Sequence, residues 1–288
     1  MIDQVLAVVN GEIITQRQLD QAIFLTGGNL GLEEVVENFI LCQEAKREKI
    51  SVSSETLENY LAEIKKDLSD EEFEQALSQS GLTADEYREW LKRRILRDRL
   101  IHQKEKEIMK ILRIKDLEIR EFYLKLKKYL RGEDISEPRV SQFYQGHQKN
   151  LSNTGKVQIV QAIVKTEAMA DLFLRELKKG ESWAEVVRKF SLNNDVRPAD
   201  ALGWISFRDV KPSLRAALLP LKQGEAIKVK EENEDFYRII QLRKRRELDF
   251  KSCEREIEKY LKEEKKKENL EEWLKELMAN SEIRIIKK

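Results

Sequence analysis

Only two cysteines and two histidines occur in the chain, and no CxxC pair is present. That excludes the dense thiolate and imidazole spacing of a structural zinc site, and no other cofactor is called for. Cys42 and Cys253 stand far apart, so a disulfide framework is unsupported. Two buried free thiols, or one long-range bridge, are the readings left. Four prolines and eleven glycines leave long stretches unbroken, as a helix-rich chain requires. No apolar run is long enough to span a bilayer. No secretion signal precedes the first folded segment. Either the chain works in the cytoplasm, or an export signal has been removed ahead of it; composition leaves both open. An excess of one charge is also missing: 54 Lys and Arg meet 53 Asp and Glu, for a net charge of +1. This balance speaks against a nucleic-acid partner. The absence of a P-loop speaks against a nucleotide.

What the chain has in quantity is charge of both signs, 37% of its residues, beside 41% hydrophobic residues. Interleaved Lys and Glu suit helices laced by i,i+4 pairs. The opening "VLAVVNGEIIT" sets Asn10-Gly11 between two apolar runs, a strong hairpin signal because both turn residues tolerate positive φ. A lone hairpin is marginal in water, so it needs a partner. Helices follow: a short one ending near Gly27-Gly28, then one over about 32–49 with Val35, Val36, Phe39, Ile40 and Ala45 on one face. Ser53 or Ser54 caps the next. Ser69 with Glu72, and Thr83 with Glu86, are capping boxes for two more. The second opens a long helix bearing Tyr87, Trp90, Leu91, Ile95 and Leu100. A further helix starts at Asp116.

Gly132, Pro138, Gly146, Asn153 and Gly155 then break the periodicity, and the stretch reads as a linker or mobile segment. Beyond it, "KVQIVQAIVK" reads as a strand and "EAMADLFLRELKKG" as a helix. Ser182 with Glu185 caps "WAEVVRKF". "ALGWISF" reads as strand, "PSLRAALLPL" as a short helix, and "FYRIIQLRKRRE" as a strand. Phe250 to Met278 is helical again, and "EIRIIKK" closes the chain as a strand. The fold class is therefore α+β. Residues 1–153 form a mostly helical domain with an opening hairpin, 154–246 an inserted α+β domain, and 247–288 a returning helix and strand that complete the first domain. The last strand pairs with the hairpin.

"VLAVVNGEIITQRQLD", "FILCQEAKREKISVSSETL" and "SGLTADEYREWLKRRIL" resemble the N-terminal region of SurA-type periplasmic chaperones. "VQAIVK", "LKKGESWAEVVRKFS", "LGWI", "LPLKQGEAI" and "FYRIIQL" resemble a single parvulin-type (PpiC-like) peptidyl-prolyl isomerase domain with an FKBP-like fold. The resemblance implies a periplasmic location with the export signal removed. It also implies a chaperone that holds unfolded outer-membrane or exported polypeptides, with no integral membrane segment.

The isomerases of this family twist an X-Pro amide against a barrier of roughly 18–20 kcal/mol. They use a pair of histidines and an Asp or Cys as a polar floor. Aligned on the family's first histidine motif, this chain has Ala162. Asn193 stands at the Asp or Cys position, and Arg238 at the second histidine. The groove Met and Phe align with Val210 and Leu214. "DALGW" keeps Leu202, Gly203 and Trp204 but has Ala201 in the acidic place. Leu202, Trp204, Val210 and Leu214 are the peptide-groove candidates, and Trp204 reads equally as core. The expectation is a weak isomerase or none, and so a holding chaperone rather than an enzyme; an active prolyl isomerase, or a spacer built on that fold, are the alternatives. Phe24, Phe39, Tyr87 and Trp90 are candidates for a client cleft or for ordinary core. Trp183 reads as core, and His102, His147 and the Lys-rich "KEEKKKEN" as solvated surface.

Overall fold

A computed structural model describes residues 3–28, 30–66, 68–79, 81–133, 137–192, 203–230 and 234–286. Asn193, Ala201 and Leu202 lie outside the described residues. The chain divides into two units, one of residues 1–113 and 262–288, the other of residues 114–261.

The first unit opens with β1 (Val5–Val9) and β2 (Glu12–Thr15), antiparallel across a two-residue turn. Asn10 and Gly11 take φ of 47° and 84°, the paired positive values that a twisted hairpin turn demands. Five helices follow: α1 (Gln16–Leu25), α2 (Leu32–Arg47), α3 (Ser54–Ile64), α4 (Asp70–Gln79) and α5 (Ala84–Ile111). Ser53 supplies the cap of α3, accepting from the Thr56 N–H. Both expected capping boxes form: Ser69 and Glu72 exchange bonds of 2.8 and 3.2 Å, as do Thr83 and Glu86 at 2.9 and 3.2 Å.

The second unit begins with α6 (Asp116–Leu130), α7 (Pro138–Gly146) and α8 (Gln148–Leu151). The expected linker is thus partly helical. Pro138 starts α7, where its missing N–H costs nothing. Val140 and Phe143, three apart, are 0% and 1% exposed. Burying a Phe of this kind is worth about 1.5–3 kcal/mol, which offsets the breaks that surround it. These side chains form one core with Phe122, Leu126, Leu130, Leu248, Cys253, Ile257 and Leu261. That shared core is why the unit boundary falls near residue 113 and not at the sequence break.

Then come β3 (Lys156–Val164), α9 (Glu167–Lys178), α10 (Trp183–Phe190), β4 (Ile205–Ser206), a 3₁₀ turn at Phe207–Asp209, α11 (Pro212–Leu218), β5 (Ala226–Lys230) and β6 (Tyr237–Arg246). The strands form an antiparallel sheet in the order β4-β3-β6-β5. Strand β4 covers two of the described residues of "ALGWISF" and ends at Ser206, because Phe207 turns inward at 2% exposure to close the core under α11. Helices α9 and α10 cover one face of the sheet, with Trp183 packed edge-on to Phe173, and α11 covers the other.

Helix α12 (Phe250–Ala279) starts in the second unit and ends in the first. It leads to β7 (Ile283–Ile285), which adds antiparallel to β1 in the order β2-β1-β7. This is the expected partner of the hairpin. Leu277 and Met278 pack against Ala7, Val9, Ile14, Val36 and Ile40, while Trp273 and Leu274 cover Leu41, Ala45, Leu96 and Leu100. Among the described residues, no helix is long and apolar enough to cross a membrane.

Candidate functional site

Helix α5 carries two kinds of face. Tyr87, Leu91 and Ile95 pack with Leu61, Phe73, Leu77 and Leu82. Trp90, Arg93, Arg94 and Arg97 follow the i, i+3, i+4, i+7 spacing and share another side of the helix. That side lines a cleft of about 900 Å³ in the first unit, together with Leu25, Leu30, Val35 and Phe39 from α1, α2 and the loop between them. Of the four cleft candidates, the structure brings Phe39 and Trp90 together as half-buried cleft walls. Tyr87 is 8% exposed and stacks behind Trp90 with ring centroids 5.7 Å apart, so it supports the wall from the core. Phe24 is 58% exposed and is not part of the lining. Cys42 touches the cleft floor, and its thiol is pushed up to about 11 by burial. Cys253 lies in the core of the second unit, with its thiol likewise raised to about 11. Both cysteines are free.

In the second unit the strand register decides which positions can meet. Residues directly opposite each other in a sheet share a face. Ala162 stands opposite Ile239, whereas Arg238 stands opposite Ile163. Ala162 and Arg238 therefore project from opposite faces. Ala162 is fully buried beneath α9 and α10. The side chain that meets Arg238 is Gln161, whose Oε1 accepts from the guanidinium at 3.0 Å. Arg238 also pairs with Glu234 at 3.4 Å and lies 5.7 Å from the Phe236 ring centre. Sequence reasoning passed over Gln161; the period of two along β3 was the signal that could have found it.

The remaining groove candidates scatter. Val210 and Leu214 lie on the same side of the sheet as Arg238, but they are 7% and 9% exposed and belong to the core under α11. Trp204 is half-buried, with the Arg246 guanidinium 3.9 Å above its ring. Arg246 is eight residues along β6 from Arg238, roughly 26 Å at strand rise. Among the described residues, no group of three or more His, Cys, Asp or Glu is placed to hold a metal ion.

The chain thus combines a mostly helical unit that carries an aromatic cleft with a parvulin-like α+β unit. Family comparison gives the same two parts. The chain carries a SurA-like N-terminal domain over residues 28–101 and a PPIC-type PPIase domain over residues 135–256. The foldase protein PrsA of Clostridium botulinum (strain Loch Maree) is 26% identical over 268 residues, spanning 89% of this chain and 72% of that protein. The chaperone SurA of Nitrosospira multiformis is 23% identical over 278 residues, spanning 86% of this chain and 58% of the relative. Among solved structures, one of two SurA-like chaperones of Campylobacter jejuni, PEB4 and Cj1289, aligns over 99% of this chain and 100% of its own at 12% identity and a TM-score of 0.37. PrsA from Bacillus subtilis aligns over 99% and 95% at 21% identity and a TM-score of 0.27.

Proposed function

We propose that this chain is an ATP-independent holding chaperone for unfolded exported polypeptides, outer-membrane proteins among them, and that it works outside the cytoplasm in the periplasm. The observation that carries the reading is the cleft of about 900 Å³ walled by Phe39 and Trp90. An unfolded β-barrel strand alternates apolar and polar side chains, and its apolar set needs cover until assembly. A half-buried aromatic cleft offers that cover with weak, reversible contact. The parvulin-like domain is weak or inactive as an isomerase. The support for this is that Arg238, a permanent cation, meets the neutral amide of Gln161 across the sheet, and neither β3 nor β6 carries a histidine. The match of residues 135–256 to a PPIase family favours a second reading, an active prolyl isomerase that assists folding.

The test uses the full chain without nucleotide. Light scattering of an unfolded exported protein should be suppressed, and Phe39→Ser should reduce the protection while the thermal melt stays cooperative. An X-Pro peptide should isomerise near its uncatalysed rate in the same preparation. Rapid isomerisation with no suppression of aggregation would favour the second reading.

A further inference from the structure

The cleft carries charge that the fold does not consume. Four acidic residues line it, and each is already engaged. Glu86 accepts from the Thr83 N–H at 2.9 Å and pairs with Arg17 at 2.7 Å. Asp85 pairs with Arg88 and Glu89 with Lys92, each at 3.9 Å. Asp3 accepts from the Arg17 N–H at 3.2 Å. On the basic side, Arg97 is committed as well. It donates to Asn38 at 2.9 Å and forks onto Asp98 at 2.8 and 2.9 Å.

Arg93 and Arg94 differ. Both are exposed, and neither forms an ion pair among the described residues. Each guanidinium instead lies over an aromatic wall of the cleft: Arg93 is 5.0 Å from the Phe39 ring centre and Arg94 is 5.7 Å from that of Trp90. A guanidinium held against a ring keeps its in-plane N–H fork free, and that fork matches a carboxylate in two parallel hydrogen bonds. The site therefore presents, twice over, an aromatic surface with a carboxylate receptor beside it.

Resting on the reading of this cleft as the client site, we infer that it selects polypeptide segments in which Asp or Glu side chains flank apolar ones. The apolar side chain covers Phe39 or Trp90, and the neighbouring carboxylate takes the guanidinium fork of Arg93 or Arg94. A neutral apolar segment fills the walls and leaves the forks to water. A basic segment meets two cations that no acid of the cleft pairs.

The experiment measures binding of the full chain to three dye-labelled peptides by fluorescence anisotropy. They share one Leu/Phe pattern and differ only in their flanking residues, Glu, Gln or Lys. The Glu peptide should bind roughly five-fold tighter than the Gln peptide, the gain expected of two partly exposed pairs, and the Lys peptide should bind weakest. Raising salt from 0.05 to about 0.5 M should erase the order, because exposed pairs are screened. The double variant Arg93→Gln/Arg94→Gln should lose the preference and bind the Glu and Gln peptides with equal affinity. Equal, measurable binding of all three peptides would overturn the charge selection and leave the cleft's holding role intact. A salt-insensitive preference, or one that survives in the folded double variant, would overturn it too. Failure of every peptide to bind would remove both this inference and the reading beneath it.

Discussion

Asn10 and Glu282 hold each other across 272 residues of chain. The Asn10 N–H donates to the Glu282 carbonyl at 2.9 Å, and the Glu282 N–H donates to Asn10 Oδ1 at 2.8 Å. The same side-chain amide donates to Gln43 Oε1 at 2.8 Å. One residue thus sets the hairpin turn, anchors the C-terminal strand and ties both to α2. Asn10→Gly keeps the positive φ and should cost about 1–2 kcal/mol through the lost side-chain bonds alone. Asn10→Ala should cost more, since it adds turn strain. Urea unfolding of the full chain checks the order of the two variants.

A chain ended at Leu261 would keep the part of α12 that fills the second unit's core and lose Trp273, Leu274, Leu277, Met278 and β7 from the first. The expected outcome is loss of the first unit's cooperative transition, with resistance to trypsin persisting over 114–261. Two intact transitions after truncation would contradict it.

Restoring an isomerase floor depends on the sheet face. His at 161 and 238 would share a face, so Gln161→His/Arg238→His should raise prolyl isomerisation above the parent's rate. Ala162→His would force a larger side chain into a fully buried position under α9 and α10. It should cost about 1–3 kcal/mol of stability and add no activity. A peptide isomerisation assay and a thermal melt on the two variants separate these outcomes.

Glu247 receives Lys127 at 2.7 Å and Arg131 at 2.6 Å. Burial alone would push its carboxyl up, but the bonds to Lys127 and Arg131 outweigh it and hold the group below its ordinary value of 4.5. A carboxylate depressed in the folded state stabilises above its unfolded value, and that stability is lost as pH falls through the folded one. The second unit should weaken below about pH 4.5, and Glu247→Gln should flatten that acid limb. Unfolding midpoints at pH 7 and pH 3.5 would show it.

Cys42 and Cys253 are 7% and 4% exposed, and both thiols are raised to about 11. At pH 8 the native chain should react with a thiol reagent very slowly, because the thiolate is scarce and shielded. Two equivalents should react at once in denaturant. Fewer than two under denaturing, non-reducing conditions would mean that the thiols are not both free.

Local rules carried much of this protein. Asn10-Gly11, the capping boxes at Ser69, Thr83 and Ser182, and the stripes of α2 and α5 each follow from neighbours a few residues away, where turn geometry and helix ends are decided. The closure of β7 onto β1 was legible too, because two incomplete apolar strands remained to be paired. Long-range register and packing decided the rest. Gln161, not Ala162, meets Arg238 because β3 is paired with a strand 77 residues on, and a slip of one residue exchanges the two faces. Val140 and Phe143 make a core helix out of a broken stretch, because Leu126, Ile257 and Leu261 arrive from distant elements to cover them. Among Phe24, Phe39, Tyr87 and Trp90, sequence could not separate wall from core. Burial depends on what packs against a side chain, and only the fold supplies that neighbour.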